Sequence, residues 1–534
     1  MRLDAEKLPE NVDELKSIII DLEERYLARI EFLEERVRLL SKELFGRKSE
    51  KRESEPESEL RQLHLFNEAE VFATEEQAEL AAAEENEASI EVPAHTRQKP
   101  KRKPLPEDLP RIERIIDIDE KDKICGCGAC LERIGEEVSE KLDIIPAKIQ
   151  VIRTIRPKYA CKACQGVESE APTVRIAPPA PQIIPKGIAT PGLLAQIAVA
   201  KYCDALPLYR QEKIFARLGV ELSRSTMAAW MVRVAEASAP LLKLLGRELL
   251  SGPLVNADET PVQVLQEPGR KNTTESYMWV FRGGDPDRPV ILFRYAATRS
   301  GQVALDVLQG YTGYVQTDAY PGYNILEEYG MLLVGCFAHT RRYFIKVIDA
   351  RGKKGAKKTG SAEVALNHIR KLYLIEEQVR ASELSDEQRL AVRAQKATPV
   401  LEEFKAWMDK RAALTPPKGL LGKAFHYALS NWSRLIRYLQ DIHITPDNNL
   451  GENAIRPFVI GRKNWLFAGH PNGAHAAASL YSLIETAKAC GLEPYWYLRF
   501  LFEKLPLAHS EEDYRALLPQ NVSSEQLARF RADS

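Results

Sequence analysis

The stretch from Pro253 to His339 constrains the fold more than any other part of the chain. "GPLVNADETPVQVL", "SYMWVFRGG" and "PVILFRYAA" read as three successive strands, rich in β-branched and aromatic residues and bounded by Gly, Pro and Asp. "RSGQVALDVLQG" then takes helical spacing, and "GYVQTDAY" and "MLLVGCFAH" read as two further strands separated by a helix. Three strands, a helix and two strands joined through a helix are the order of a mixed α/β sheet.

Two of these strands are expected to end in an acid beside turn residues, Asp258 in "VNADETP" and Asp318 in "VQTDAYPGY". A single Asp in such a place caps a turn. Two at matching positions of one sheet make a candidate site for a hard divalent cation, and oxygen ligands of this type suit Mg²⁺. A third carboxylate comes later, in "TPDNNLGENAIR". The stretch predicts a helix with Thr445 as its N-cap and Pro446 at its first position, placing Asn448, Asn449 and Glu452 on one face. The competing reading of Glu452 is an exposed ion pair with Arg456, four residues on, of small energetic weight. Pro457 should bend or end this helix.

The rest of the chain divides by composition. From His339 to Leu439 the pattern is almost wholly helical, with "RGKKGAKKTG" in a loop, and "HAAASLYSLIETAKACG" with "EPYWYLRFLFEKL" forms a helical hairpin broken at Gly491. Upstream, "LPLYRQEKIFARLGVELSRSTMAAWMVRVAEA" reads as a helix ending near Leu218, a turn opened by Gly219 and a second helix capped by Ser223. That spacing fits either a helix-turn-helix presenting Arg224, Ser225 and Thr226 to a major groove or a hairpin used for packing. Cys161 and Cys164 form one C-x-x-C knuckle and Cys127 with Cys130 another, with Cys125 as a third thiol on that side. The two knuckles bracket a β-rich segment and match a four-thiolate zinc ribbon, a closed and therefore structural site. C-x-x-C geometry favours Cys127 and Cys130, with Cys125 the alternative.

The N-terminal third is less folded in character. Leu15, Ile19, Leu22, Tyr26, Ile30, Leu33, Val37, Leu40 and Leu44 are spaced 4, 3, 4, 4, 3, 4, 3, 4, a heptad seam with one stutter. A two-stranded coiled coil is the favoured reading, a helix docked on the domain the other. Glu50 to Glu91 carries 14 acidic residues against three basic ones and is a linker. In "TRQKPKRKPLPEDLPR" the sign reverses, and Lys101, Arg102 and Lys103 among prolines form either an extended arm for a DNA groove or a solvated linker. No run of about 18 apolar residues occurs, and "MRLDAEKLPENVDEL" has no apolar stretch behind a basic start, so a cytoplasmic protein with no membrane partner is expected. Eight cysteines among 534 residues are too few for a disulfide scaffold, and a net charge of −1 gives no global sign of a nucleic-acid partner.

"ADET", "TDAYPGY", "GCFAHTRRYF" and "NNLGENAIRPFVIGRKNWLFAG", in that order, resemble the IS66 family of bacterial insertion-sequence transposases, and the resemblance runs from about Val12 to about Leu505. It implies a multidomain α/β protein with a ribonuclease H-like mixed sheet and a DDE triad of Asp258, Asp318 and Glu452, 60 and 134 positions apart. The long second gap implies a helical insertion at about 345–423. The implied organisation is a coiled coil at 10–46, an acidic linker and basic arm at 47–110, a zinc ribbon at 111–175, a helix-turn-helix-like region at 186–248, a catalytic domain at 250–470 and a helical hairpin at 471–510. The implied reaction is cleavage at transposon ends and strand transfer into target DNA, using two Mg²⁺ per site, with Mn²⁺ as a substitute, beside a structural Zn²⁺. His339, Arg341, Arg342, Arg462 and Lys463 are expected to hold phosphates, and self-association, companion proteins of the element and a nucleoid location are further implications. A nuclease that only hydrolyses would share the triad, and a regulator that only binds DNA would not need it.

Overall fold

The computed structural model describes residues 11–45, 149–160, 174–351 and 360–533. The five cysteines from Cys125 to Cys164 and the basic residues Lys101, Arg102 and Lys103 lie outside them. By contact the chain forms two units: Glu79–Ala177, and Met1–Ala78 together with Pro178–Ser534. In the first, a two-stranded antiparallel ladder pairs β1 (Lys158–Ala160) with β2 (Val174–Ile176).

The second unit opens with α1 (Val12–Phe45), a 34-residue helix. It touches the helical layer described below, yet Ile19, Tyr26, Ile30, Leu33 and Val37 of its seam stay largely exposed. Four helices follow: α2 (Pro191–Tyr202), α3 (Leu208–Arg217), α4 (Arg224–Ala237) and α5 (Ala239–Leu249). Gly219, at φ +82°, turns the chain between α3 and α4, and Ser223 caps α4 by accepting the Thr226 N–H at 3.2 Å. Among the described residues no helix is long and apolar enough to cross a membrane.

The sheet comprises β3 (Leu254–Val264), β4 (Glu275–Asp285), β5 (Arg288–Ala296), β6 (Tyr314–Gln316), β7 (Leu332–Val334) and β8 (Phe467–Ala468). Its order is β5-β4-β3-β6-β7, with β8 also paired to β3. The first three strands are antiparallel neighbours, whereas β6, β7 and β8 join in parallel. The connections are α6 (Gln302–Val307) before β6 and α7 (Ile325–Glu328) before β7. Eight of the eleven residues of β3 are buried, as a strand covered on both faces over most of its length requires.

The free edge of β3 positions the site. One edge pairs with β4 from Asn256 to Gln263; the other meets β6 only at Leu254–Asn256 and β8 only at Gln263 and Val264. Residues 257–262 therefore have no strand on that side among the described residues. Pro261, which cannot donate to a ladder, falls inside this open stretch. Asp258 stands there as well. It is not at the end of its strand, as the turn residues around it suggested, but mid-strand, because β3 runs on against β4 for five residues after Asp258.

After β7 come α8 (Phe337–Arg351), α9 (Ser361–Arg380), α10 (Asp386–Leu414) and α11 (Leu420–Ser430). They pack around Phe344, Leu372, Phe404, Phe425 and Tyr438 in a core separate from that of the sheet. Inside it Arg393 and Glu376, 2 % and 1 % exposed, are bonded at 2.8 Å, and Arg393 also donates to the Tyr438 and Asp441 carbonyls. A buried cation of this kind is held in place by using up its donors. The chain returns through α12 (Asn449–Trp465) and β8, and finishes with α13 (Pro471–Ala489), α14 (Pro494–Lys504) and α15 (Ser524–Ala532). Gly491 at φ +75° makes the turn between α13 and α14 that its position suggested.

Candidate active site

Along β3, Asn256, Asp258, Thr260 and Val262 share one face by strand alternation, and α12 lies across it. Asn448 accepts from the Asn256 amide at 2.9 Å and donates to the Ala257 carbonyl at 3.0 Å. Farther along, Arg462 donates to the Thr260 hydroxyl at 3.2 Å. Close approach depends on Gly451, since a Cβ there would come within 2.9 Å of the Asn448 side chain and 3.2 Å of the Asn256 Cβ.

The start of α12 corrects the sequence expectation. The helix begins at Asn449, not Pro446, and Thr445 does not cap it; its hydroxyl donates to the Asp447 carbonyl. The Asn448 side chain is committed to β3 and the Pro446 carbonyl to the Phe337 N–H, so residues 445–448 are held off helical geometry. Asp447 supplies the missing cap, its Oδ1 accepting the Asn449 N–H at 3.1 Å. Asn448 thus stands just outside the helix, as its N-cap, whereas Asn449 and Glu452, three residues apart within it, do share a face. Pro457 neither ends nor interrupts the helix, which continues to Trp465.

Glu452 is 1 % exposed. Its Oε2 takes the Arg342 Nη2 at 2.7 Å, and His339 Nδ1 lies 3.5 Å from its Oε1. The exposed pair with Arg456 is therefore not what fixes Glu452, although the Arg456 charge does act on the same carboxylate. Arg342 also donates from Nη1 to His339 Nε2 at 2.9 Å. That nitrogen must be the bare one, so the hydrogen-bond network assigns the proton to Nδ1. Burial, with Arg342 and Lys346 nearby, pushes the imidazole pKa down to about 3 and keeps it neutral.

The structure brings Asp258, Asp318 and Glu452 into one electrostatic cluster. Burial raises the Asp258 pKa well above the usual carboxylate range, and the charges of Glu259, Glu452 and Asp318 raise it further; the Glu259 N–H, 2.8 Å from Asp258 Oδ1, opposes them. Asp318 is raised by burial and lowered by the Tyr320 N–H, Arg299 and Arg342. Glu452 is raised by burial and by Asp447 and Asp318, against the pull of Arg342. Glu452 Oε1 is buried with no hydrogen-bond partner. Mutually repelling carboxylates and an unsatisfied buried oxygen are costs that the charge of a hard cation would relieve, but the ligand atoms that lie within 4.8 Å of one another among the described residues include Glu452 and neither Asp258 nor Asp318.

Several participants were not singled out from sequence. Glu259, beside Asp258, is buried and held by Arg299 Nε at 2.8 Å and by the Tyr323 hydroxyl. Arg299 lies 3.9 Å above the Tyr320 ring, so it is fixed from two sides. Cys336, His339 and Glu452 offer ligand atoms within 4.8 Å of one another, a softer set that suits borderline metals better than Mg²⁺. The C-x-x-H spacing of Cys336 and His339 at the start of α8 was the available signal.

The charged residues expected to hold phosphates separate. His339 and Arg342 face Glu452, and Arg462 is 9 % exposed against Thr260. Lys463 and Arg224 are exposed and Arg341 is half-buried. A first prediction concerns the amide that docks α12. Asn448→Ala should destabilise the protein by about 1–3 kcal/mol by leaving the Asn256 amide and Ala257 carbonyl short of partners. Urea unfolding reads this directly; an unchanged midpoint would show that α12 does not depend on this contact.

Comparison with known families follows the same order along the chain. Residues 186–476 match the model described as "Transposase IS66 family" and residues 122–165 match "zinc-finger binding domain of transposase IS66". Residues 32–114 match "Transposase C of IS166 homeodomain" and residues 482–520 match "IS66 C-terminal element". Three Sinorhizobium fredii proteins are similar over most of their length, each described only as uncharacterized. They are y4jD (34% identical, 80% of this chain and 83% of the relative), y4qI (34%, 79% and 78%) and y4hP (30%, 86% and 83%).

Proposed function

The chain belongs to the IS66 transposase family, and from that premise we propose that it cuts the ends of its insertion sequence and joins them to target DNA in a divalent-cation-dependent reaction. The family membership implies a DNA-transposing enzyme with a structural zinc domain and DNA as its partner. The observation that carries the finer reading is the cluster of half-buried Asp258 and Asp318 with buried Glu452, three carboxylates whose charges act on one another at the open edge of β3.

In this reading Asp258, Asp318 and Glu452 hold Mg²⁺, with Mn²⁺ as a substitute. The bound cations would supply positive charge for the nucleophile and the leaving oxygen. Asn256 and Asn448 fix α12 against β3 so that Glu452 meets the other two acids, and Arg342 with neutral His339 orients its carboxylate. Glu259, tied to Arg299 and Tyr323, keeps the adjacent Asp258 backbone in place. Water first attacks the scissile phosphorus, breaking the bond to O3′, which leaves with a proton as a free 3′-hydroxyl. That hydroxyl then attacks a phosphorus of target DNA in the same site, forming a new phosphodiester while the target's own bond from phosphorus to O3′ breaks and its 3′-oxygen leaves with a proton as a free hydroxyl. Lys463, Arg341 and, on α4, Arg224 are proposed to meet DNA phosphates, a reading supported by the exposure of Lys463 and Arg224. The mixed sheet, with three antiparallel strands followed by parallel ones, supports a ribonuclease H-like catalytic domain. The exposed seam of α1 supports self-association, and the element's companion proteins are further expected partners.

The test is incubation of purified protein and Mg²⁺ with a labelled duplex bearing the element's own ends, followed by mapping of products. Nicks at the ends together with joined products are expected. Hydrolysis without joining would reduce the chain to a nuclease, and no Mg²⁺-dependent product would reduce it to a DNA-binding protein. A second expectation concerns zinc. Cys127, Cys130, Cys161 and Cys164 are proposed as the ligands, so Cys127→Ser should cut bound zinc from about one per chain to near zero whereas Cys125→Ser should leave it unchanged. Elemental analysis decides, and the reverse result would assign Cys125 instead.

A further inference from the structure

A cavity of about 590 Å³ lies beside the carboxylates, not over them. Its volume is within the roughly 300–1,000 Å³ of small-molecule sites. Val262 and Phe458 lie in its wall, Trp465, Phe467 and His470 border it, and Lys201 reaches in from α2. The position matters because Val262 shares the β3 face of Asp258. They are four positions apart along the strand, roughly 13 Å, or about four nucleotides at the rise of a B-form strand. The outer face of α4, with Ala228, Ala229 and Arg233, borders the cavity too. The catalytic strand and the second helix of the candidate helix-turn-helix therefore share this wall.

Its chemistry is selective. The lining is mainly apolar and aromatic, while the charged groups on it are Lys201 and the Arg233–Glu236 pair, bonded at 3.1 Å. The Lys201 ammonium lies 5.4 Å from the Trp465 and Tyr202 ring centres. Asn472 and Gly473, in the first turn of α13, bring the positive end of that helix to the border. The tip that carries Trp465 and Phe467 is strained and exposed. Leu466 has φ +65°, a left-handed conformation costly for a side chain of its type, and Leu466 and Phe467 are 65 % and 45 % exposed. Arg462 and Lys463 immediately precede this tip.

We propose that this cavity receives one unstacked base of the DNA strand held at Asp258, with Phe467 and Trp465 as the stacking surfaces. A flat π-face on aromatic rings, cations about the rim and a position within about four nucleotides of the scissile phosphate all suit a nucleobase. The inference rests on the transposase reading, because it takes Asp258 to mark the cut bond.

The test uses the full chain and duplexes carrying the element's end, measured without added divalent cation so that binding is read apart from cleavage. A mismatch that keeps the base but removes its pairing is placed in turn at each of about four positions on either side of the cut. Affinity should rise about tenfold or more at one position, because opening the pair no longer opposes binding. The gain should vanish in Phe467→Ala and in Phe467→Leu, with melting temperatures unchanged. A 5-iodouracil at that position should photo-cross-link to the peptide containing Trp465 and Phe467. No preferred position, a gain that survives both substitutions, or a cross-link elsewhere would overturn the proposal. If the preferred position exists but Mg²⁺ yields no cleavage, the cavity's role stands and the transposase reading fails. Cleavage without any preferred position gives the converse, and failure to bind the ends overturns both.

Discussion

Asp258→Asn should lose Mg²⁺-dependent cleavage of transposon-end DNA by at least about a thousandfold, the scale on which removing one member of a catalytic unit acts, while end binding persists. The same substitution should make the metal-free protein more stable at neutral pH. Asp258 is raised by burial first and then by Glu259, Glu452 and Asp318, so its charged form is disfavoured in the fold. The sign follows from linkage: a carboxyl raised above its unfolded value contributes fully below that value, near pH 4, and loses the contribution as pH climbs through the folded pKa. At pH 7 to 8 the ionised Asp258 therefore works against the fold, and asparagine removes that cost. Divalent cation offsets the same cost, so Mg²⁺ should raise the melting temperature of the unsubstituted protein more at pH 8 than at pH 5, and less in Asp258→Asn. Cleavage that persists in Asp258→Asn would remove this residue from the site. A melting temperature indifferent to Mg²⁺ at every pH would separate the carboxylate cluster from cation binding.

The parts of the site that were legible in the sequence are those encoded by short-range pattern. The strand holding Asp258, the strand that ends two residues before Asp318, the turn at Gly219, the cap at Ser223 and the break at Gly491 all follow from local chemistry and appear where that chemistry put them. What escaped was set by contacts distant in sequence. Thr445 and Pro446 form a good local helix start, but Asn448 is bonded to Asn256 and Ala257, some 190 positions away, and those bonds delay the helix to Asn449. Asp258 looked terminal because turn-forming residues surround it. Its strand continues because β4 offers partners through Gln263. The partner of Glu452 was the largest omission, since Arg456 is four residues away and Arg342 is 110. The cations after "GCFAH" were read as facing DNA, which spacing permits; burial and the 2.7 Å contact turn one of them towards the carboxylate instead.

That contact carries the second large effect. Arg342→Ala leaves Glu452, 1 % exposed, without its cation, and breaking a buried pair from one side costs about 3–5 kcal/mol. A phosphate-binding arginine on the surface would cost almost nothing in the free protein, so stability separates the two roles. The loss should depend on pH. Burial already raises the Glu452 pKa while Arg342 lowers it; without the arginine it rises further, and the residue can escape by taking a proton. By the same linkage, the penalty should be small near pH 4.5 and reach its full size above neutrality. Glu452→Gln added to Arg342→Ala should recover much of the loss, because no charge then remains to be neutralised. Divalent cation should also stabilise Arg342→Ala more than the unsubstituted protein, since the cation takes over the neutralising role of the guanidinium. Thermal unfolding across pH, with and without Mg²⁺, measures all three. If Arg342→Ala melts like the unsubstituted protein and only its DNA affinity falls, the arginine acts on phosphate and the orientation of Glu452 must come from His339 and the docking of α12 alone.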